Sequence, residues 1–325
     1  MKKTLFLPLL FLGSVALGEG ATVDSAIPSY KPVEGVSGTI KSVGSDTMNN
    51  LMALWRDDFL RYYPGATLEV EGKGSGTAMP AMIEGTATFG PMSRSVKGDE
   101  SDGFEKKFGY KPTALRTSID ALAVFVHKDN PIQGLSMDQI DAIFSKTRKG
   151  GFAKDITTWG DLGLTGEWQN RPITLYGRNS ASGTYGYFKE HALFKGDYKD
   201  SVKEQPGSSA VVSGVANDKG AIGYSGIGYV TADVRAVPVA AKAGQPFVAA
   251  NAENCYSGDY PLSRFLYLVV NFAPGSKLDP LRREFVRLVF SRQGQEVVVK
   301  DGYYPLPARI VADELRKVDL GEGRP

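Results

Sequence analysis

The sequence predicts an α/β chain, doubly wound, folded as two domains. Three observations carry this reading. The chain has 325 residues, above the size at which a single core usually divides. Segments of strand character and segments of helical period alternate along it, the pattern of helices layered on a sheet. Three strand-to-helix turns also repeat one form, small-Ser-x-Thr: Gly44-Ser45-Asp46-Thr47, Gly74-Ser75-Gly76-Thr77 and Ala181-Ser182-Gly183-Thr184. Ligands in doubly wound folds sit beyond the carboxyl ends of the strands, where such turns lie.

The chain opens on Met1-Lys2-Lys3-Thr4, and Leu5 to Val15 is then almost wholly apolar, ending in Ala16-Leu17-Gly18. A basic start, a short apolar run and a small-x-small site have the form of a secretory signal peptide, expected over residues 1–18 with cleavage after Gly18 or as late as Ala21. The apolar run is too short to span a bilayer, and no Cys follows it to carry a lipid anchor. Residues 19–37 show no period and read as a loosely held N-terminal arm.

Thr39 to Val43 is a short strand entering the first Ser/Thr turn. Met48, Leu51, Met52, Trp55, Phe59 and Tyr62 then form the apolar stripe of a helix, which Tyr63-Pro64-Gly65 ends. A second strand, Thr67 to Val70, enters the second turn, and a short helix carries Ala78, Ala81, Met82 and Ile83. Thr86 to Phe89 is a third strand, leading into the loop Gly90-Pro91-Met92-Ser93-Arg94. Two apolar strands follow, Ala114 to Ser118 and Asp120 to His127. The second lacks alternation and is expected to be buried on both faces, as in a parallel sheet. Ser136 and Gln139 form a capping box for a helix to about Ser145. Residues 147–170 read as a glycine-rich excursion packed by Trp159 and Trp168.

Ile173 and Leu175 mark the strand before the third turn, and Tyr187, Phe188, Ala192 and Leu193 the helix after it. Ser208 is expected to cap a helix to about Ala216. Strands are expected at Ala221 to Tyr224, Val234 to Val239 and Phe265 to Val270. Asp279-Pro280 is an N-cap with Pro at the first helical position, opening a helix through Phe290. Helices over 294–300 and in a charged tail close the chain.

Composition excludes several functions. At 42% hydrophobic and 23% charged the chain is an ordinary soluble globular one. Losing Lys2 and Lys3 with the leader takes the formal charge from +2 to 0, so a nucleic-acid partner recruited by a basic field is not expected. With the single Cys255 there is no internal disulfide, and with only His127 and His191 beside it no Cys/His zinc site and no metal is expected. Cys255 reads as a buried small apolar residue. No Gly-x-Ser-x-Gly elbow, phosphate-binding P-loop or dinucleotide fingerprint occurs, so no cofactor is implied. His127, ending an apolar strand, reads as structural, and His191 reads as part of a solvated helix face.

A helix that begins in a Ser/Thr turn aims unpaired N–H groups outward, and its dipole adds about half a positive charge. One such turn is an ordinary cap. Three at strand ends could converge on a tetrahedral oxyanion, with Arg94 and Arg178 each able to add a forked contact. A site for monohydrogen phosphate also needs one acceptor for the ligand's own proton, and a carboxylate there repels fully ionised sulfate. Asp120, at the head of a buried strand, is the first candidate and Asp46 the second. Each has an ordinary reading, a solvent-facing strand start and a helix N-terminus stabiliser respectively.

At these residues the chain resembles a known family, the periplasmic phosphate-binding proteins of Pst-type ABC importers, and most closely a pseudomonad-like branch. The resemblance runs from about Gly38 to Pro307. It rests on Val43-Gly44-Ser45-Asp46-Thr47, Gly72-x-Gly74-Ser75-Gly76-Thr77, Phe89-Gly90-Pro91-Met92-Ser93-Arg94, the run from Asp120 to Pro131, Tyr176-Gly177-Arg178-Asn179 with Ser182-Gly183-Thr184, and Gly220-Ala-Ile-Gly223-Tyr224. It implies a two-lobed type II periplasmic-binding-protein fold, each lobe a mixed sheet flanked by helices, with the ligand in the interlobe cleft. Lobe I is then expected at 38–121 plus 267–320 and lobe II at 122–266, with hinge crossings near Asp120 to His127 and Phe265 to Asn271.

The resemblance also implies the ligand contacts. Ser45, Asp46, Thr47 and the backbone N–H of Met48 come from the first turn and Ser75 from the second. Ser93 and Arg94 lie in the third loop, Asp120 on the strand, and Arg178, Ser182, Gly183 and Thr184 in the last turn. Some relatives carry the acceptor Asp where this chain has Ser93. Others carry Ser-Arg there and an Asp at the head of the next long strand, which favours Asp120 here. The implied function is to bind inorganic phosphate in the periplasm, with secretion as an alternative location, and to deliver it to the membrane permease subunits of an ABC importer. The protein is expected to be a non-enzymatic monomer. The competing readings are a receptor for another oxyanion, such as sulfate, and a secreted phosphoester hydrolase.

Overall fold

The computed structural model describes residues 21–321. The expected leader at 1–18 lies outside the described residues. Among those described, no helix is long and apolar enough to cross a membrane.

Three strand–turn–helix units open the chain. β1 (Gly38–Gly44) leads through a 3-10 turn, Asp46–Met48, into α1 (Asn49–Tyr62). β2 (Ala66–Gly72) leads through a second 3-10 turn, Ser75–Thr77, into α2 (Ala78–Glu84). β3 (Phe89–Met92) is followed by α3 (Gly98–Phe108). The third strand thus lies three residues later than expected. Gly90-Pro91-Met92, read from the sequence as a loop, is itself the strand, because it is wedged between neighbours and its ladder to Tyr267–Val270 overrides the weak local preference of Gly and Pro. The helix α3 has few apolar residues and went unread; only Phe104 of it is buried.

The two apolar strands expected at Ala114 to Ser118 and Asp120 to His127 are one strand of 15 residues, β4 (Thr113–His127). It is buried on both faces from Thr117 onward, but the expected parallel setting is wrong. β4 runs antiparallel to all three of its partners, which are β11 (Ser263–Val270), β8 (Ala221–Gly226) and β9 (Val234–Ala236). Burial follows from the helices layered on both faces, and strand direction leaves no trace in an all-apolar run.

Beyond β4 come β5 (Leu135–Ser136) and α4 (Met137–Phe144), with the expected capping box at Ser136 and Gln139. Trp159 and Trp168 meet edge to face at 6.2 Å and pack the excursion, as expected. β6 (Thr174–Arg178) leads into α5 (Gly183–His191). The short strand β7 (Lys203–Gln205) precedes α6 (Ser208–Ala216). Ser208 is the first residue of that helix rather than its cap, which is Gly207. β10 (Val239–Ala240) pairs with β5 apart from the main sheet, and α7 (Ala252–Ser257) carries the buried Cys255. After β11 the chain closes with α8 (Pro280–Val289), α9 (Arg292–Lys300) and α10 (Ala308–Arg316).

The main sheet runs β2-β1-β3-β11-β4-β8-β6-β7, with β9 also on β4. It is mixed: β1 is parallel to β2 and β3, and β6 is parallel to β7 and β8. β4 joins its two halves. Up to Ala121 it pairs with β11, and from Leu122 it pairs with β8. The strands β1, β2 and β6 therefore end on opposite halves of one sheet, with their carboxyl-end turns facing each other across β4.

The N-terminal arm is not loosely held. Ile27, Tyr30 and Val36 are buried. The Tyr30 hydroxyl bonds Tyr63 at 2.5 Å and donates to Glu284 at 3.0 Å, and Arg292 N–H donates to the Pro28 carbonyl. The arm lacks a period because it is extended chain filling a groove beside α8 and α9, and such packing imposes no repeat on the sequence.

Candidate anion-binding site

The first turn places Ser45 and Thr47 at the end of β1, both 1% exposed. The Ser45 hydroxyl does not cap the turn it opens and is buried without a partner among the described residues. The Met48 N–H closes the turn on the Ser45 carbonyl at 3.2 Å, so it is engaged locally. In the second turn Ser75 is fully buried. Its oxygen accepts from Ser93 N at 3.0 Å and lies 3.3 Å from the Ser93 hydroxyl. In the last turn Ser182 is a true N-cap, accepting from Thr184 N at 3.1 Å and Tyr185 N at 3.3 Å. A hydroxyl that accepts in this way keeps its own proton to donate.

These turns meet. Thr47 Oγ1 and Thr184 Oγ1 are 2.8 Å apart, and Gly76 N–H donates to the Ala181 carbonyl at 3.0 Å. Gly183 is where they come closest: a Cβ there would lie 2.3 Å from Ser75 Oγ and 2.6 Å from Ser93 Oγ. No side chain other than hydrogen fits between the hydroxyls.

Arg178, at the end of β6, is 1% exposed. Tyr224, stacked on Phe188 with ring centroids 3.9 Å apart, accepts from the Arg178 backbone N–H at 3.2 Å and fixes the base of the residue. The guanidinium donates to Ser208 Oγ at 2.7 Å and the Pro206 carbonyl at 3.3 Å, and it lies 3.3 Å from Asp46 Oδ2. Its Nε is buried without a partner among the described residues. Burial pulls the Arg178 pKa down and Asp46 pushes it back up, but a guanidinium stays charged in proteins. A buried cation with one unspent donor, beside buried hydroxyls, is a site built to meet an anion.

Two carboxylates flank the cluster. Asp46 Oδ2 accepts from Ser208 N–H at 2.8 Å. Asp120 is fully buried. Its Oδ1 accepts from Ile227 N–H at 3.0 Å, and its Oδ2 takes a fork from Arg264, Nε at 2.9 Å and Nη2 at 2.7 Å. The structure does not gather Arg94 with the others. Its guanidinium is forked on Glu100 of α3 at 2.8 and 2.6 Å. Arg264 takes the second cationic place instead, and sequence reasoning passed over it. A signal was available: an arginine inside an otherwise apolar strand must find a buried acid, and Asp120 heads the other buried strand.

The two histidines are peripheral, as expected. His127 Nδ1 accepts from Asp129 N–H at 3.2 Å, and His191 stacks on Tyr187 at 4.1 Å.

With this geometry in view, comparison with known proteins is decisive. A family model described as the PBP superfamily domain matches residues 30–293. The phosphate-binding protein PstS of Pseudomonas aeruginosa is 55% identical over 311 residues, covering 94% of this chain and 96% of that protein.

The chain belongs to the PstS family of the PBP superfamily.

More distant members include the phosphate-binding protein PstS of Staphylococcus haemolyticus, 27% identical across 97% of this chain and 96% of that one. Among solved structures, a substrate-binding protein from Clostridium perfringens, described as that of a phosphate ABC transporter with phosphate bound, superposes with a TM-score of 0.70. It is 26% identical and covers 82% of this chain and 99% of its own. An ABC-type phosphate transport receptor from Vibrio cholerae, 20% identical with a TM-score of 0.62 over 82% of this chain and 100% of its own, shares the fold. The architecture is the type II periplasmic-binding-protein fold expected from the sequence.

Proposed function

We propose that this protein binds inorganic phosphate in the periplasm and hands it to the permease subunits of an ABC importer, without catalysing a reaction. One observation carries the reading. Arg178 and the hydroxyls of Ser45, Thr47, Ser75, Ser93, Ser182 and Thr184, drawn from separate turns, are buried together, with Arg178 Nε and Ser45 Oγ unspent among the described residues. The ligand named for PstS of P. aeruginosa and the phosphate in the C. perfringens protein support extending that ligand to this chain.

The binding residues are Ser45, Thr47, Ser75, Ser93, Arg178, Ser182, Gly183 and Thr184, with Asp120 as the acceptor for the ligand's proton. Asp120 has three donors on its two oxygens, and a carboxylate has about four acceptor positions, so one remains. Asp46 serves as the counter-ion of Arg178. Arg94 is held by Glu100 and the Met48 N–H by the Ser45 carbonyl, so neither is counted in this set.

The two halves of the sheet act as lobes. The change of β4 partners between Ala121 and Leu122 supports a boundary there. The pairing of β11 with the first half of the sheet from Ser263 onward supports a return at that residue, four before the one the sequence suggested. Closure about such crossings is a common hinge motion.

Calorimetry with inorganic phosphate, arsenate and sulfate tests the function. Phosphate and arsenate bind, and sulfate does not compete. Absence of phosphate binding would remove phosphate as the ligand, sulfate competing at similar concentration would overturn the acceptor role of a carboxylate, and turnover of a chromogenic phosphoester abolished by Ser182→Ala would make the protein an enzyme.

A further inference from the structure

Arg264 sits opposite Asp120 in the register of β11 and β4, the two long strands at the middle of the sheet. Its side chain is 2% exposed. Three groups from three segments share its donors. Nε and Nη2 grip Asp120 Oδ2, Nη1 donates to the Ser93 carbonyl at 2.8 Å, and Nη2 also donates to Thr184 Oγ1 at 2.9 Å. The ring of Tyr187 covers the guanidinium at 5.4 Å. Ser93 belongs to the half of the sheet holding β1, and Thr184 to the half holding β6, so this one side chain ties both halves at their junction.

We infer that Arg264 is a positioning residue that holds the Thr184 hydroxyl as an acceptor, keeping that oxygen's lone pair off the anion. This inference rests on the phosphate reading of the same site. An arginine has donors and no acceptor, so Thr184 Oγ1 must accept from it, and the Thr184 proton is turned away from Arg264. Thr47 Oγ1 lies 2.8 Å further on. If Thr184 donates to Thr47, the Thr47 proton is free for the ligand. If Thr47 donates to Thr184, the Thr184 proton is free. Either way the pair offers the anion a proton, and no lone pair need face it. A solitary pair of threonines would also keep one free proton, but the Thr184 lone pair that Arg264 occupies would then be open to face the anion. The fork on Asp120 adds a second effect: it compensates that carboxylate's charge beside an anionic ligand while leaving the carboxylate an acceptor.

Lysine keeps the charge but is a compact point donor, and it does not span Asp120, the Ser93 carbonyl and Thr184 together. The test is a double-mutant cycle on phosphate affinity with Arg264→Lys, Thr184→Val and the pair, alongside thermal melting of each. Arg264→Lys is expected to weaken phosphate binding about 10–100-fold, the range for a hydrogen bond to a charged group. Thr184→Val is expected to cost a similar factor, and the pair to bind within about 3-fold of the weaker single variant, because Arg264 acts through the Thr184 hydroxyl. Losses that multiply, or an Arg264→Lys variant within about 2-fold of the unsubstituted protein, would overturn the inference. Should the lysine variant melt below the working temperature, Arg264→Gln, whose amide can still donate to Asp120, enters the same cycle with the same criterion. Failure of the phosphate reading is seen separately, as absence of phosphate binding by the unsubstituted protein, and it removes this inference too.

Discussion

The hydroxyls of Thr47 and Thr184 lie 2.8 Å apart, although 137 positions of sequence separate them. One closes the turn after β1 and the other opens α5, so the contact joins the two halves of the sheet. Thr47→Val keeps the shape and removes the hydroxyl. Phosphate affinity is expected to fall by about 1.5–3 kcal/mol, the value of a hydrogen bond to a charged group, with the melting temperature of the ligand-free protein changed little. Calorimetry and a melting curve check both parts.

Arg178→Ala is expected to cost phosphate binding about 1.5–3 kcal/mol. Arg178→Lys should recover little of it. The guanidinium is held flat by Ser208 Oγ and the Pro206 carbonyl with Nε left over, and an ammonium lacks that planar fork. A lysine variant binding as tightly as the unsubstituted protein would show that charge alone suffices.

The two carboxylates are separable. Asp120→Asn breaks a buried pair and leaves Arg264 without its counter-charge, which costs stability by about 3–5 kcal/mol. It also admits sulfate as a competitor of phosphate, because the amide can donate where the carboxylate only accepts. Asp46→Asn, at a side chain 21% exposed, costs less stability and leaves sulfate excluded. Competition calorimetry decides, and sulfate binding to the Asp46 variant alone would transfer the acceptor role to Asp46.

Asp301 governs a pH effect on stability. Burial pushes it up to about 7, against the pull of its contact with Asn50, and its Oδ2 has no partner among the described residues. The folded state therefore binds this proton more tightly than the unfolded chain, whose value is near 3.8. The stability it contributes is present below about pH 4 and is lost as pH rises through about 7. Asp301→Asn should melt at a higher temperature than the unsubstituted protein at pH 8, by a stability gain of roughly 1–4 kcal/mol, and show no gain at pH 4. Melting curves across this range read it directly.

Cys255 should be inert in the folded protein. It is 7% exposed, and burial pushes its thiol up to about 12, so almost no thiolate exists at neutral pH. A thiol reagent at pH 7.5 should label it only in denaturant.

Much of this was legible in the residues. The alternation of periods gave the α/β class, the capping box at Ser136 and the Asp279-Pro280 start placed two helices, and the repeated Ser/Thr turns marked Ser45, Thr47, Ser75, Ser182 and Thr184. Local rules report these features because each lies within one turn of chain. Three readings failed for non-local reasons. Gly90-Pro91-Met92 is a strand because its neighbours hold it there. β4 is antiparallel because of where the chain returns as β11. The arm is ordered over its described residues, 21–37, because a groove beside α8 and α9 accepts it.

The sequence by itself determined the elements and the donors: a turn's N–H groups, its hydroxyls and the arginine at a strand's end are set by neighbours a few residues away. Tertiary structure alone decided the partnerships. Arg94 is occupied by Glu100, Arg264 is set against Asp120, and Thr184 stands between Arg264 and Thr47. Those pairings depend on strand register across β4 and β11 and on the meeting of two sheet halves, and no local spacing in the chain encodes which charge will lie opposite which.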